Sequence, residues 1–144
     1  MVIDTNILVY AANENSEHYA ACRRFIDQRI HIPDPTFLTW SICYEFLRVT
    51  TNRGPLPRRI NAVDASTFLS TLLSQPSFSV LTATNRHFDL LSLTLTEFPE
   101  VSGNLMHDVH TAVLMREHGI IQICTRDTDF YRFPFLTVVD PLRQ

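Results

Sequence analysis

Acidic and neutral polar side chains follow apolar runs at two distant points of the sequence. Asp4, Thr5 and Asn6 come directly after the apolar residues 2–3, and residues 125–129 come directly after the apolar run 120–124. An apolar run that ends in polar residues before a helical pattern predicts a strand leading into a helix. In an open parallel sheet, residues just beyond the carboxyl ends of the strands face the crevice where ligands bind. We therefore expect both polar stretches to lie at one edge of a sheet. The second stretch supplies Thr125, Asp127 and Asp129.

A further carboxylate, Glu45, is predicted on a helix. Ile42, Phe46 and Val49 form the apolar stripe of that helix, and Glu45 stands three residues after Ile42 and four before Val49. Its side chain should therefore point inward with the stripe. An ionised carboxylate in that position is costly without a cation, a partner or a polar crevice. The alternative is a buried ion pair with a neighbouring arginine such as Arg48.

Asp108 repeats this pattern on a later helix. Leu105, Val109, Ala112 and Val113 form the predicted buried face, and Asp108 lies at its edge in the first helical turn. A favourable interaction with the helix dipole is the simpler explanation for a carboxylate there. Helix or turn capping is the corresponding alternative for Asp4, Asp127 and Asp129.

Several carboxylates that converge on one crevice cannot all ionise without cations between them. Oxygen ligands alone favour Mg²⁺ or Mn²⁺. His107 and His110 are predicted to project away from the buried face, towards solvent or substrate, and not to bind metal. The three cysteines lie in apolar surroundings without a CxxC motif, and we expect them to be reduced core residues, namely Cys22, Cys43 and Cys124.

The composition excludes several other chemistries. All 12 basic residues are arginines, so mechanisms that need a lysine, such as Schiff-base formation, Walker phosphate loops and receiver-type signalling, are excluded. Three glycines are too few for a glycine-rich phosphate loop. The net charge of −3 argues against a broad surface that coats nucleic acid, but it permits a local arginine patch. Neither a leader nor a membrane-spanning run is evident, which predicts a cytoplasmic protein without membrane contact.

Strands and helices are predicted to alternate along the chain. Strands separated by helices imply a parallel sheet covered on both faces. The prediction is one domain over residues 1–144, with strands at 2–3, 36–39, 78–81, 120–124 and 136–139. After a short helix behind the first strand, the further helices are predicted at 16–30 (capped by Ser16), 41–51 (capped by Ser41), 61–74, 86–98 and 105–118.

Taken together, these motifs resemble the PIN-domain ribonucleases, and more closely the VapC-type toxins of bacterial toxin–antitoxin pairs. The resemblance covers essentially the whole chain and depends on the order and spacing of four motifs, which are residues 4–6, 44–48, 104–108 and 125–130. It implies a three-layer α/β/α fold with a central, mostly parallel sheet of four to five strands. It also implies divalent metal bound by Asp4, Glu45, Asp108 and Asp127, with Asp129 as an auxiliary group and support from Thr5, Asn6 and Thr125.

The resemblance further implies a metal-dependent endoribonuclease in which a metal-activated water hydrolyses the RNA backbone. The implied substrates are structured RNAs such as tRNA or rRNA, and the implied partners are a second copy of the chain and a small antitoxin. Asp129 is our candidate for orienting the water or taking its proton. Arg53, Arg58, Arg59 and Arg126 are candidates for phosphate contacts. The alternative function is a non-catalytic regulatory or scaffold module that binds metal or a basic partner segment in the acidic crevice.

Overall fold

A central sheet of five parallel strands organises the chain in the computed structural model, which describes residues 1–52 and 60–143. The strand order is β3-β2-β1-β4-β5, so the first strand lies in the middle. Val2 and Ile3 point to opposite faces of the sheet, and both are fully buried. Both faces must therefore be covered, as the predicted α/β fold requires. The strands are β1 (Val2–Ile3), β2 (Thr36–Thr39), β3 (Phe78–Leu81), β4 (Gln122–Cys124) and β5 (Thr137–Val139).

Helices connect the strands, as predicted. Helix α1 packs against α2 and α3, α3 packs against α4, and α5 packs against α6. Gly119 follows α6 with a φ of +68°, a conformation that favours glycine and ends the helix where the sequence predicted. The helices are α1 (Thr5–Ala12), α2 (Tyr19–His31), α3 (Trp40–Thr51), α4 (Ala62–Leu73), α5 (His87–Glu97) and α6 (Leu105–Glu117), followed by a 3₁₀ helix (Thr128–Arg132).

The register of the sheet brings the two polar stretches together. Ile3 pairs with Cys124 at the carboxyl ends of the adjacent strands β1 and β4. Asp4, the residue that follows β1, extends this pairing because its backbone N–H donates to the Cys124 carbonyl at 3.0 Å. Asp4 and Thr125 therefore leave the sheet side by side at the same edge.

Both predicted serine caps are wrong. Helix α2 begins at Tyr19 after His18, and the hydroxyl of Ser16 instead accepts the His18 backbone N–H at 3.2 Å. Helix α3 is capped by Thr39, whose hydroxyl accepts the Ile42 backbone N–H at 3.1 Å. Serine and threonine cap almost equally well, so the sequence does not distinguish neighbouring candidates.

Smaller differences concern the ends of strands and one helix face. Strand β4 begins at Gln122, two residues later than predicted, and β5 begins one residue later than predicted. The predicted helix 61–74 is confirmed with Asn61 as its cap. The sequence pattern also predicts Val63 on the apolar face of this helix, which is wrong because Val63 is exposed. All three cysteines are free and buried, as predicted. Within the described part of the chain, no helix combines the length and apolarity needed to cross a bilayer.

Candidate metal centre

One crevice of about 1050 Å³ lies over the carboxyl ends of β1 and β4, beside α3 and α6. Its lining includes Thr5 and Asn6, whereas Thr125 lies behind it, fully buried. The structure thus brings all the predicted carboxylates to one surface, and they are Asp4, Glu45, Asp108, Asp127 and Asp129.

Asp4 is the most buried of these carboxylates, with 9% of its surface exposed. It caps α1, and its Oδ1 accepts the Thr5 backbone N–H at 2.7 Å. Its Oδ2 accepts hydrogen bonds from Asn6 Nδ2 and from Thr125 Oγ1, each at 2.6 Å. The capping interpretation and the crevice interpretation therefore both hold for the same side chain.

Thr125 connects three of the polar groups beneath the crevice. Its hydroxyl donates to Asp4 and accepts from Asn6 Nδ2 at 2.9 Å. The same oxygen accepts the Asp127 backbone N–H at 2.9 Å. Because Thr125 is fully buried, these bonds fix its rotamer and hold Asp4 and the start of the Asp127 turn in place.

Glu45 lies at the rim of the crevice, where 43% of its side chain is exposed, so the prediction that it points inward with the apolar stripe is wrong. Its Oε2 accepts a hydrogen bond from Thr5 Oγ1 at 3.1 Å, which connects α3 to the start of α1. Its Oε1 lies 3.4 Å from Arg48 Nη2. The alternative pairing with Arg48 therefore exists, but it is an exposed pair rather than a buried one. Such a pair contributes little stability.

Asp108, Asp127 and Asp129 form the tightest acidic cluster. One carboxylate oxygen from each lies within 4.8 Å of the other two. Asp127 caps the 3₁₀ helix by accepting the Asp129 backbone N–H at 2.9 Å, and Asp129 Oδ1 lies 3.2 Å from Arg132 Nε. Three half-buried oxygen donors at this spacing fit a hard divalent cation.

The electrostatics of the crevice indicate an excess of negative charge. The pKa of Asp4 is raised to about 6, chiefly by burial. The hydrogen bonds from Thr125 and Thr5 oppose this rise, and the charges of Asp127 and Glu45 add to it. Burial also raises the pKa of Asp108 to about 7, together with repulsion from the other four carboxylates of the crevice. A cation between these groups would relieve both effects.

The two predicted histidines lie in different surroundings. His107 is exposed and lines the crevice, in agreement with a position on the substrate side. His110 does not face solvent. It is half-buried, with its Nδ1 3.0 Å from Ser41 Oγ and its ring 5.6 Å from that of His87. Burial is the main cause that lowers its pKa, and the charges of His87 and His107 act in the same direction. His110 thus contacts Ser41, which lines the crevice.

The arginine candidates are only partly described. Arg126 does not line the crevice, because its Nε lies 3.7 Å from Asp140 Oδ2 and its Nη1 contacts His18. The other three predicted phosphate contacts lie outside the described residues, and they are Arg53, Arg58 and Arg59.

Sequence reasoning missed one buried carboxylate, Glu117, at the end of α6. Its Oε1 accepts the Thr84 backbone N–H at 2.6 Å and also the Thr84 hydroxyl, and its Oε2 lies 2.9 Å from His87 Nδ1. Glu117 stands between Arg116 and His118, and this charged and polar sequence is typical of a solvated helix end, so no local pattern indicated that the carboxylate is buried.

A five-stranded parallel sheet with carboxylates gathered at one edge defines an α/β protein with an acidic crevice whose residues could hold a divalent cation. The family model of the PIN domain matches residues 1–136, and the chain belongs to the PIN-domain family, among the VapC ribonucleases. Ribonuclease VapC37 of Mycobacterium tuberculosis is 34% identical over 132 residues, which cover 92% of this chain and 90% of that protein. Ribonuclease VapC33 of the same species is 30% identical over 144 residues, which cover 100% of this chain and 99% of that protein.

Solved structures agree with the fold. The crystal structure of Mycobacterium tuberculosis VapC20, described as a sarcin-ricin loop cleaving toxin, matches with a TM-score of 0.67 at 18% identity, over 90% of this chain and 92% of that chain. A chain of VapBC-1 from nontypeable Haemophilus influenzae matches with a TM-score of 0.66 at 16% identity, over 98% of this chain and 97% of that chain.

Proposed function

We propose that this chain is a metal-dependent endoribonuclease, the toxin of a toxin–antitoxin pair, formed by a single PIN domain over residues 1–144. The observation that carries the proposal is the convergence of Asp4, Glu45, Asp108, Asp127 and Asp129 on one crevice. Its relatives are ribonucleases by name, which agrees with a nucleic-acid backbone as the substrate.

Four carboxylates are the proposed metal ligands. Asp108 and Asp127 belong to the tight cluster, and Asp4 and Glu45 approach it from β1 and α3 across the same crevice. Mg²⁺ or Mn²⁺ suits this set because every donor is a carboxylate oxygen. Asp129 completes the set as an auxiliary ligand or as a group just outside the metal's ligands.

The chemistry is hydrolysis of a phosphodiester bond. A divalent cation bound here would supply Lewis-acid chemistry, which activates water as a nucleophile and offsets charge on the phosphate. Thr125 and Asn6 hold Asp4 through its Oδ2, and Thr5 holds Glu45. Asp129 is the proposed group that would orient the attacking water or take its proton. Since water is the nucleophile, the RNA 2′-hydroxyl takes no part, and preference for RNA must come from binding contacts.

The proposed partners follow from the relatives. Solved structures with the same fold include VapBC and other toxin–antitoxin complexes, so we propose a small cognate antitoxin that obstructs the crevice. We also propose a homodimer, a cytoplasmic location and a structured RNA such as tRNA or rRNA as the target. Arg53, Arg58, Arg59 and Arg126 remain proposed phosphate contacts. For Arg126, this requires that its guanidinium leave Asp140 and His18.

The test is cleavage of total RNA by purified protein that has been stripped of any bound inhibitor. The reactions contain EDTA, Mg²⁺ or Mn²⁺, and they compare the wild type with Asp108→Asn. Asp27→Asn is the matched control, because Asp27 is a half-exposed carboxylate paired with Arg23 on α2, away from the crevice. We expect discrete fragments that require metal, disappear with Asp108→Asn and persist with Asp27→Asn. Equal inactivity of all three proteins with both metals would favour the non-catalytic binding module instead.

A further inference from the structure

Ser41 forms part of the crevice wall, one helical turn before Glu45 on α3. Both residues line the crevice, and residues four apart share one face of a helix. Ser41 is partly exposed, and Glu45 is a proposed metal ligand. A substrate held at the metal centre therefore has the Ser41 hydroxyl within its surroundings.

Two hydrogen bonds hold this hydroxyl in place. Ser41 Oγ lies 2.8 Å from Thr39 Oγ1 and 3.0 Å from His110 Nδ1. Thr39 is fully buried, and its oxygen accepts the Ile42 backbone N–H. Ser41 Oγ is the one described acceptor for the Thr39 hydroxyl proton. Thr39 therefore donates to Ser41, since a buried hydroxyl proton needs an acceptor.

The direction of the second bond depends on which nitrogen of His110 carries the ring proton. With the proton on Nε2, Ser41 donates to Nδ1, and each group from the Ile42 N–H onwards donates to the next one. Hydrogen bonds in such a chain strengthen one another. With the proton on Nδ1, Ser41 would accept twice, and its own proton would have no acceptor among the described residues. The hydrogen-bond pattern therefore favours the proton on Nε2.

The resulting arrangement leaves one hydrogen-bonding position of Ser41 free. A hydroxyl has one proton and two lone pairs, and Ser41 uses the proton for His110 and one lone pair for Thr39. The His110 ring is itself held beside the ring of His87, 5.6 Å away, and His87 Nδ1 lies 2.9 Å from Glu117 Oε2. The second lone pair of Ser41 is thus a fixed acceptor, available to a ligand in the crevice.

A fixed acceptor discriminates between the two nucleic-acid backbones. Phosphate and sugar-ring oxygens are acceptors themselves, so they cannot bond to a lone pair. The RNA backbone adds one donor, the ribose 2′-hydroxyl, which the DNA backbone lacks.

We propose that Ser41 accepts a hydrogen bond from a ribose 2′-hydroxyl of the substrate and so favours RNA over DNA. His110 is the positioning residue that orients Ser41. The inference rests on the proposed ribonuclease function and supplies a binding contact for RNA, which a reaction with water as the nucleophile requires.

The test compares two strands that differ only at the 2′ position. One is a fluorescently labelled single-stranded RNA of mixed sequence, and the other is its 2′-fluoro analogue, which keeps the ribose conformation but has no 2′ proton to donate. Both are titrated in Mg²⁺ with protein that carries Asp108→Asn to prevent cleavage. We expect this parent protein to bind the RNA more tightly. Adding Ser41→Ala should weaken RNA binding by about two- to tenfold, the range for one neutral hydrogen bond, and leave binding of the 2′-fluoro strand unchanged.

Variants of His110 in the same background test its positioning role. His110→Leu removes the acceptor for the Ser41 proton and should reduce the preference for the RNA strand as Ser41→Ala does. His110→Asn keeps an acceptor near the position of Nδ1 and should retain most of the preference. The double variant Ser41→Ala with His110→Leu should bind RNA no more weakly than Ser41→Ala alone, because both changes act through one contact.

Ser70→Ala and His118→Leu are the matched controls. Ser70 is exposed on α4, and His118 is an exposed histidine with its Nε2 2.8 Å from the Thr82 carbonyl. Neither residue lines the crevice, so neither change should alter the preference for the RNA strand.

Three results would overturn the proposal. They are equal affinity of the parent protein for both strands, unchanged RNA affinity of Ser41→Ala, and an equal loss for both strands, which would assign Ser41 to a phosphate. Weaker Mn²⁺ binding by Ser41→Ala in titration calorimetry would also overturn it and assign the lone pair to a metal-bound water. Additive losses in the double variant would overturn the positioning role of His110. Cleavage of total RNA by the wild type tests the ribonuclease function separately, so the two proposals fail independently.

Discussion

Thr125 donates its hydroxyl proton to Asp4 Oδ2 at 2.6 Å, across 121 positions of sequence. The contact follows from the parallel register of β1 and β4, in which Ile3 and Cys124 pair as the last residues of the two strands. Each strand's next residue then meets the other at the sheet edge. The hydrogen bond opposes the rise in Asp4 pKa that burial causes. The pairing of β1 with β4 therefore both positions the Asp4 carboxylate and limits the rise in its pKa.

Removing the Thr125 hydroxyl should therefore affect both stability and metal affinity. Thr125→Val keeps the shape of the side chain but leaves buried groups without a partner, which costs about 1–3 kcal/mol. We expect a lower free energy of unfolding in urea and weaker Mn²⁺ binding by titration calorimetry. Thr125→Ser, which keeps the hydroxyl, is the control and should bind Mn²⁺ almost as well as the wild type. Equal Mn²⁺ affinity of the Val and Ser variants would contradict the positioning role.

The stability of the cation-free protein should fall as pH rises towards neutrality. The pKa of Asp4 is raised from 3.8 to about 6, and that of Asp108 from 3.8 to about 7. The folded state therefore binds these protons more tightly than the unfolded chain. Their contribution is fully present below about pH 3.8 and is lost as pH rises to about 7. Urea unfolding in EDTA between about pH 5 and about pH 8 should show this decline.

Asp108→Asn is the matched variant for the pH experiment. It removes the carboxyl with the more strongly raised pKa and leaves Asp4 as the only one of the two to titrate. The decline in stability with pH should therefore be shallower than in the wild type. A variant that loses stability as steeply as the wild type would show that the decline originates elsewhere.

Divalent cations should stabilise the folded protein at neutral pH. A ligand at about 100 times its Kd adds about 2.7 kcal/mol, because only the folded chain assembles the site. We expect Mn²⁺ to raise the midpoint of thermal unfolding of the wild type, with much smaller shifts for Asp4→Asn and Asp108→Asn. Asp27→Asn should respond like the wild type. A shift of equal size in all four proteins would place cation binding outside the crevice.

Much of the fold and of the acidic site could be predicted because short-range patterns encode them. Polar residues that end an apolar run located Asp4 and Asp127 at the strand ends, and helical periodicity placed Glu45 and Asp108 beside buried stripes. Parallel topology then brings such positions to one edge. The five-stranded parallel sheet and the shared crevice confirm these steps.

Features that depend on distant partners could not be predicted in the same way. His110 contacts Ser41, which lies 69 positions earlier. The helical pattern around His110 does not reveal which distant residue packs against it. Helix α3 is capped by Thr39 and not by Ser41 as predicted. The backbone conformation decides between the two hydroxyl residues, and a local sequence pattern does not reveal it. Arg126 pairs with Asp140 near the end of the chain, a contact that no local motif indicates.

Glu117 is the clearest long-range case, and it leads to a prediction about acid stability. Burial would raise its pKa, but hydrogen bonds from Thr84 and His87 outweigh burial and lower the pKa from 4.5 to about 2. Its contribution to stability is therefore present above about pH 4.5 and is lost as pH falls towards about 2.

Glu117→Gln should lower the free energy of unfolding near neutral pH by about 1–3 kcal/mol, because the amide cannot reproduce the charged hydrogen bonds. It should also make the fall in stability at acid pH shallower, since the titrating group is gone.

Glu97→Gln is the control. Glu97 is an exposed carboxylate of α5 that pairs with Arg116 of α6, so its replacement should change the free energy of unfolding little. RNA cleavage should persist in both variants, because neither residue lines the crevice. A Glu117→Gln protein with the wild-type acid profile would mean that the Thr84 and His87 bonds do not stabilise the carboxylate, and that the junction between α5 and α6 is held by apolar packing alone.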